Sequence, residues 1–224
     1  MTNLRWSALL ALVVATAVLA PSMAHAEKAQ CVVCKVMKGE SEEEEAKAWR
    51  THDGVRYALC SQKCAQEFDV DPLAYVTPSL PRPAPELSVA DLQGTLLTWE
   101  GMKGKVVLLD FWATWCAPCR KSMPELQALH DRYGSRGFSV VGISIDEGRD
   151  AARKVKKFVD AKKITYPIGI HAGKTPAWER FHVRAVPAAF LVDQEGRIVA
   201  QWTGIAADAG QLEKQLDSLL AGAR

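Results

Sequence analysis

The strongest constraint on the fold is an apolar run that ends shortly before two closely spaced cysteines. Residues 105–112 read Lys-Val-Val-Leu-Leu-Asp-Phe-Trp, and Cys116-Ala-Pro-Cys119 follows. A run this continuous is typical of a central strand buried on both faces. The pattern then predicts a helix from Pro118 to about Tyr133 and a second buried strand from Gly137 to Ile145. Strand, helix and strand in this order indicate an α/β layer architecture.

The sequence after this unit continues to alternate between helix and strand patterns. The predicted elements around the unit are a hairpin at 87–97, a helix at 148–162, a strand at 166–170, a helical turn at 176–181, strands at 188–192 and 197–203, and an amphipathic helix at 208–220. The last two strands are separated by Asp-Gln-Glu-Gly, which is typical of a hairpin turn.

Cys116 and Cys119 lie where the buried strand gives way to the helix. A cysteine at a helix N-terminus faces unpaired N–H groups and the positive end of the helix dipole, and both stabilise its thiolate. Pro118 suits the first turn because the N–H that it lacks is not needed there. We therefore predict Cys116 as the exposed attacking nucleophile and Cys119 as the more buried resolving thiol. A bare C-x-x-C is otherwise ambiguous among redox, metal and structural roles.

The surrounding residues are more specific. Residues 110–121, Asp-Phe-Trp-Ala-Thr-Trp-Cys-Ala-Pro-Cys-Arg-Lys, closely resemble the thioredoxin signature, and Ala185-Val-Pro-Ala188 resembles the cis-proline segment of that family. Residues 87–220 resemble the TlpA/ResA branch of exported thioredoxins. The resemblance implies a thioredoxin fold, with a central mixed sheet flanked by helices, and thiol-disulfide oxidoreductase activity without an organic cofactor.

The resemblance also assigns candidate catalytic residues besides the two cysteines. These are Asp110, Trp115, Pro118 and Pro187. It implies a cis Val186–Pro187 bond packed beside Cys116, and a role for Asp110 in proton movement at the resolving cysteine. Burial in a central strand should raise the pKa of Asp110, which suits a proton acceptor near neutral pH. A partnered structural acid remains the alternative for this residue.

The direction of electron flow is predicted from the residue before the second cysteine. A histidine there would stabilise the thiolate further and favour oxidation of substrates, whereas this chain has Pro118. We therefore expect a reductant that acts on disulfides of client proteins. The family resemblance implies a membrane thiol carrier as its electron donor. An oxidase or isomerase of disulfides remains a rival activity.

The N-terminal segment has the pattern of a secretory signal peptide. Arg5 provides a positive start, residues 8–20 are apolar, and Ala24-His-Ala26 is a small-x-small cleavage site. We predict residues 1–26 as a signal peptide and a periplasmic location for the mature chain. An uncleaved anchor is the alternative, although the apolar run is short for a bilayer span.

A proline-rich stretch divides the mature chain. Four prolines between residues 78 and 85 cannot join a helix or a central strand, so residues 78–86 are predicted to be an extended, stiff linker. It separates a module at 27–77 from a domain at 87–224. Fewer than about 60 residues seldom form a sufficient core, so the first module needs a metal, disulfides or docking. The formal charge of +2 offers no electrostatic case for nucleic acid as a partner.

The first module, predicted to be a small Cys-rich α+β unit, contains four candidate metal ligands. They are Cys31, Cys34, Cys60 and Cys64. Residues 55–59 are predicted to be a strand that leads into Cys60, and Ser61 is a plausible N-cap for a helix carrying Cys64. A tetrahedral four-thiolate site would suit Zn²⁺ and would also accept Cu(I). The acidic run Glu42–Glu45 is interpreted as a solvated helix face.

Residues 31–76 resemble the YHS/TRASH family of small metal-binding modules. The segment from Tyr57 to Phe68, followed by Asp71-Pro-Leu-Ala-Tyr75, carries this resemblance. The resemblance implies that the module binds a metal, since members of this family are often found in proteins that handle copper or heavy metals. Two structural disulfides, or a second redox pair that exchanges with Cys116 and Cys119, are the alternatives for these cysteines.

These observations together predict an exported disulfide reductase with a metal-binding module fused in front. Its shared task would be to keep the cysteines of a metalloprotein reduced for assembly, such as a copper centre or an apocytochrome c. The alternative from a different class is a copper or zinc carrier or sensor. In that case the first module performs the function and the thioredoxin-like domain is a scaffold.

Overall fold

The computed structural model describes residues 27–39, 42–76, 78–170, 175–203 and 209–221. The predicted signal peptide at 1–26 lies outside these residues. We call residues 27–77 the front module and residues 87–224 the redox domain. None of the helices in the described ranges combines the length and apolar character needed to cross a membrane.

The front module contains two small antiparallel sheets and two helices. Its elements are β1 (Lys28–Gln30), α1 (Val32–Lys38), β2 (Glu43–Glu45), β3 (Ala48–His52), β4 (Val55–Leu59) and α2 (Gln62–Val70). β1 pairs with β2, and β3 pairs with β4. Leu59 and Phe68 are almost fully buried and form its core with Tyr75, whose ring stacks on that of Phe68.

The prediction that Glu42–Glu45 forms a helix face is wrong. Residues Glu43–Glu45 form β2, and Lys28 of β1 lies directly opposite Glu45. Opposite charges across an antiparallel pair are favourable, and strand pairing outweighs the weak helix preference of three glutamates.

The redox domain is built on an eight-stranded sheet whose first strand in the chain comes from the preceding linker. Its strands are β5 (Arg82–Pro83), β6 (Ser88–Asp91), β7 (Leu96–Thr98), β8 (Val106–Trp112), β9 (Phe138–Ser144), β10 (Ile168–Ile170), β11 (Ala188–Val192) and β12 (Arg197–Thr203), and its helices are α3 (Ala117–Tyr133), α4 (Ala151–Lys162), α5 (Ala177–Arg180) and α6 (Ala209–Ala221). The strand order is β5-β12-β11-β8-β9-β10-β6-β7. β8, β9 and β10 run parallel and their other neighbours antiparallel, which gives the predicted mixed sheet flanked by helices.

Every residue of β8 is buried, as the apolar run predicts. Leu108 and Trp112 pack in the cluster that contains Cys119, whereas Leu109 and Phe111 pack on the opposite face. Because side chains alternate along a strand, Asp110 lies on the same face as Leu108 and Trp112. The register of β8 thus places one carboxyl on the side of the sheet that holds the redox cysteines.

Gly142 of β9 lies beside Asp110 in the parallel register. A Cβ atom at this position would lie 2.8 Å from Cδ1 of Ile168 and 3.1 Å from Nε1 of Trp112. The missing side chain therefore gives the Trp112 indole room next to Asp110.

Part of the proline-rich linker belongs to the sheet of the redox domain. Arg82–Pro83 pairs with β12, and the N–H of Ala84 donates to the Gly196 carbonyl at 2.9 Å. The Trp99 indole N–H also donates to the Pro85 carbonyl at 2.7 Å. Prolines are tolerated here because β5 is an edge strand, where a missing N–H removes no ladder bond. The segment is therefore attached to the redox domain.

The front module contacts the redox domain through Asp71, directly after α2. One carboxylate oxygen lies 2.8 Å from Nδ1 of His182, and the other accepts a hydrogen bond from Arg184 at 2.8 Å. Only 15% of the Asp71 side chain is exposed. Because both partners lie in the segment that leads to Pro187, this contact joins the front module to the neighbourhood of the redox pair.

Candidate active site

Cys116 is the N-cap residue of α3. Its backbone is extended, and its sulfur accepts a hydrogen bond from the backbone N–H of Cys119 at 3.2 Å. Pro118 lies in the first turn of the helix, as predicted. The two cysteines form a disulfide with Cα atoms 5.3 Å apart. The sulfur of Cys116 therefore occupies the position where the helix N-terminus stabilises negative charge.

The prediction that Cys116 is exposed is wrong for this oxidised form. Cys116 is 4% exposed, and Cys119 is completely buried. Cys116 is still the more accessible of the two, as expected. Both sulfurs pack into the apolar cluster beneath α3, because the disulfide links the sulfur of Cys116 to that of the buried Cys119.

Asp110 is buried, and one of its oxygens, Oδ2, has no hydrogen-bond partner among the described residues. Burial raises the pKa of this carboxyl to about 7. The indole N–H of Trp112 and the hydroxyl of Tyr166 also lack partners there. The pKa of Tyr166 is raised by burial and by the nearby Asp110 charge. A carboxyl with these properties can take or give a proton near neutral pH.

Trp115 and the segment before β11 frame the opening beside the redox pair. The Val186–Pro187 peptide bond is cis, as predicted, and Trp115 is 66% exposed. A cavity of 370 Å³ lies next to them, and it is lined by Trp115, Ile145, Glu147, Trp178, Val183, Arg184 and Ala185. This cavity offers an apolar surface to whatever approaches Cys116.

Sequence reasoning missed Asp146, which supports the loop before Cys116. Its carboxylate accepts hydrogen bonds from the Thr114 backbone N–H at 2.8 Å and from the Thr114 hydroxyl at 2.5 Å. The Ser144 hydroxyl donates to the same carboxylate at 2.9 Å. The position of Asp146 just beyond the end of a buried strand was the available signal in the sequence. Its partner Thr114 could not be predicted, because only the fold brings the two residues together.

The four cysteines of the front module converge on one point, and we call them the front cysteine cluster. Sγ of Cys34 lies 3.6 Å from Sγ of Cys60 and 3.9 Å from Sγ of Cys64, and the last two are 3.6 Å apart. All four sulfurs lie within 4.8 Å of one another, and none of them forms a disulfide. Metal–sulfur bonds of about 2.3 Å give a tetrahedron with edges of about 3.8 Å, so the spacing fits a four-thiolate metal site.

The surroundings affect the cluster thiols differently. Burial raises the pKa of Cys60, as do the neighbouring thiols. Burial also opposes ionisation of Cys31, but hydrogen bonds from the backbone N–H groups and the thiols of Cys34 and Cys60 together outweigh it, so the pKa of Cys31 lies below its usual value. Cys31 thus ionises more readily than Cys34 or Cys60 in the absence of a cation.

Comparison with known proteins identifies the redox domain. The profile of the AhpC/TSA family matches residues 80–201, which is more than half of the chain. The chain belongs to the AhpC/TSA family. This family match begins within the proline-rich segment, in agreement with the attachment of β5 to the sheet, and the front module lies outside it.

Relatives of this AhpC/TSA protein include thiol-disulfide oxidoreductase ResA. The chain is 34% identical over 137 residues to a ResA from Bacillus cereus, covering 61% of this chain and 74% of the relative. ResA from Bacillus subtilis is 29% identical over 121 residues, covering 54% and 65%.

A solved structure supports the same fold. The crystal structure of a putative thiol:disulfide interchange protein DsbE from Chlorobium tepidum superposes with a TM-score of 0.57 at 28% identity, covering 64% of this chain and 99% of that one. The protein is therefore a thioredoxin-like thiol-disulfide oxidoreductase, and the predicted fold class is confirmed. Enzymes of this kind act on client proteins that carry thiols or disulfides.

Proposed function

We propose that this oxidoreductase is a periplasmic reductase of client disulfides, with Cys116 and Cys119 as its dithiol. The observation that carries the proposal is the placement of Cys116 at the N-cap of α3, with its sulfur facing the N–H of Cys119. The periplasmic location rests on the signal-peptide pattern of residues 1–26. Pro118, in place of a histidine before the second cysteine, supports the reducing direction.

The proposed reaction passes two electrons to the client. The Cys116 thiolate attacks one sulfur of the client disulfide, which forms a mixed disulfide and releases the other sulfur as a thiolate. Cys119 then attacks the Cys116 sulfur and releases the second client thiol, leaving the Cys116–Cys119 disulfide. A membrane thiol donor restores the dithiol.

Asp110 is proposed to accept the proton of Cys119 during the second step. It lies on the face of the sheet that packs against Cys119, and its raised pKa of about 7 allows it to take up a proton near neutral pH. The proton of Cys119 is thereby removed inside the apolar cluster, where bulk water does not reach.

The front cysteine cluster is proposed to hold Zn²⁺ or Cu(I). All four thiolates would be its ligands, because their spacing fits a tetrahedron. A bound ion would supply cross-links that a module this small otherwise lacks. With a metal module fused to a reductase, the clients are proposed to be metalloproteins whose cysteines must be reduced before assembly, such as copper proteins or apocytochromes c.

The test is turnover of a protein disulfide with a thiol donor, using insulin as the probe. We expect Cys116→Ser to reduce the rate to that of the donor alone, while Cys34→Ser, which alters only the front cysteine cluster, retains reduction. Equal rates for the wild type and Cys116→Ser would overturn the assignment.

A second candidate function is metal transfer, and the convergence of four cysteines outside any disulfide favours it. In this case the front module is a carrier or sensor and the redox domain is a scaffold. Transfer of bound metal to an apoprotein by the double variant Cys116→Ser and Cys119→Ser would support this function, because that variant has no dithiol.

A further inference from the structure

The cavity beside Trp115 adjoins two others around Trp178. A cavity of 550 Å³ shares Ile145, Glu147 and Trp178 with it. A cavity of 360 Å³ shares Trp178, Val183 and Arg184 with it, and shares Trp178 and Glu179 with the 550 Å³ cavity. The three cavities thus meet at Trp178, and we call their combined surface the groove; Trp115 in its wall directly precedes Cys116.

The front module forms one end of this groove. Val70, the last residue of α2, and Asp71 line the 360 Å³ cavity together with redox-domain residues. Val70 is 78% exposed, so it offers an apolar surface that nothing in the described chain covers. The contacts of Asp71 with His182 and Arg184 keep this end of the front module next to the redox domain.

The groove combines apolar side chains with unpaired carboxylates. Trp115, Trp178 and Val183 provide the apolar strip between the redox pair and Val70. Glu147 and Glu179 line the groove and form no ion pair within the described residues, whereas Asp71 already neutralises Arg184. Arg149 lines only the 550 Å³ cavity, so the two cavities between Trp115 and Val70 carry an excess of negative charge.

We propose that this groove binds the client as an extended, apolar segment that carries basic residues and runs from the redox pair onto Val70 of the front module. This inference rests on the proposed reduction of client disulfides. The front module is then part of the client-binding surface, in addition to any metal that it holds. Small disulfides reach Cys116 without contacting the front module.

The test compares two exposed valines of the front module. Val70→Ser changes the groove, and Val55→Ser is the matched control because Val55 is also exposed but begins β4 and lines none of these cavities. The probe is a synthetic peptide in which valines, leucines and lysines flank a central serine. Its binding to the oxidised protein is followed by tryptophan fluorescence, so no turnover is needed.

We expect Val70→Ser to weaken peptide binding about fivefold, since it removes part of one buried apolar contact. Val55→Ser should bind like the wild type. A peptide with glutamates in place of the lysines should bind more weakly, and Glu147→Gln with Glu179→Gln should remove that difference. Equal binding by Val70→Ser and Val55→Ser, or equal binding of the two peptides by the wild type, would overturn the proposal.

A second measurement separates this proposal from the proposed function. The same peptide, with cysteine in place of the serine and thionitrobenzoate attached as a mixed disulfide, is mixed with reduced protein. Attack by Cys116 on the peptide sulfur releases the coloured thiolate, and Cys119 then displaces the peptide thiol. Peptide binding without this release would contradict the reductase function and leave the groove intact. As the small substrate we use glutathione linked to thionitrobenzoate by the same mixed disulfide. If Val70→Ser slows release from the peptide but not from glutathione, the result supports both the groove and the reductase function.

Discussion

The two C-x-x-C pairs of this chain begin in the same local setting. Cys31 is the N-cap residue of α1, and Cys116 is the N-cap residue of α3. In both pairs the second cysteine lies three residues further along the helix, and the backbone N–H groups of the first turn face the first sulfur. The helix position alone therefore does not distinguish a metal ligand from a redox nucleophile.

The neighbours of each pair make the difference. The Cys31 and Cys34 thiols meet two more thiols, delivered by β4 and α2, and all four converge. The Cys116–Cys119 pair instead packs among apolar side chains on the face of the sheet that also carries the buried carboxyl of Asp110. Two additional thiols can complete a metal site, whereas a carboxyl with a pKa of about 7 can exchange a proton. The comparison teaches that the chemistry of such a pair is set across the fold and not within the motif.

The largest effect is expected from breaking the four-thiol set. Cys60→Ser should abolish stoichiometric metal binding, because one tetrahedral ligand is lost, and the front module should lose metal-binding free energy on the order of 10 kcal/mol. Metal content and circular dichroism of anaerobically purified protein measure this. Cys116→Ser is the matched control and should retain the metal. A folded, metal-free front module in the wild type would contradict the metal site and favour a role in disulfide exchange.

The next effect concerns the carboxyl beside the redox pair. Because burial raises the pKa of Asp110 to about 7 from 3.8, the folded protein keeps a proton that the unfolded chain loses between these values. Stability should therefore fall as the pH rises from 4 to 7 and stay level above 7. Asp110→Asn should remove this fall and be more stable than the wild type at pH 8 by roughly 4 kcal/mol. Denaturant unfolding of the oxidised wild type and the oxidised variant between pH 4 and pH 8 measures this difference in stability.

Asp193 provides the control for this experiment. It is equally buried, but it accepts hydrogen bonds from the Arg197 side chain at 2.9 Å and from two backbone N–H groups of the hairpin turn. Asp193→Asn should destabilise the protein, since it weakens partnered interactions. If Asp110→Asn also destabilises at pH 8, the carboxyl is a partnered structural acid and its proposed role in proton transfer fails.

Much of the redox domain could be predicted because its signals are local. The apolar run before Cys116 predicts β8, and the hairpin turn predicts the strands on either side of it with their observed bounds. The sequence does not indicate contacts between distant segments, such as Thr114 with Asp146 or Asp71 with Arg184, because each needs the fold to bring the partners together. The pairing of Arg82–Pro83 with β12 was missed for the same reason.

An intermediate effect is expected where the two regions meet. Asp71→Ala removes the contact with His182 and the hydrogen bond from Arg184, each at 2.8 Å, and should lower the stability of the full chain by about 2 kcal/mol. Hydrogen exchange should show faster opening at the junction, with the cores of both regions unchanged. Glu67→Ala is the control, because Glu67 is an exposed acid of α2 in the same module. Unchanged exchange in Asp71→Ala would show that the junction contributes nothing to the assembly of the two regions.

The smallest effect is expected from removing the hydroxyl N-cap of α2, which corresponds to the sulfur N-cap of α3. In α2 the Ser61 hydroxyl accepts the hydrogen bond from the Cys64 N–H at 3.2 Å, the role that Cys116 itself has in α3. Ser61→Ala should therefore destabilise the front module by about 1 kcal/mol and weaken metal binding at Cys64, while the reduction potential of the Cys116–Cys119 pair stays the same. Ser61→Asn, which retains a capping oxygen, should restore most of the stability. A shift in that reduction potential in Ser61→Ala would mean that the front module influences the redox pair through more than the Asp71 contact, and the two regions would then have to be treated as one electrostatic unit.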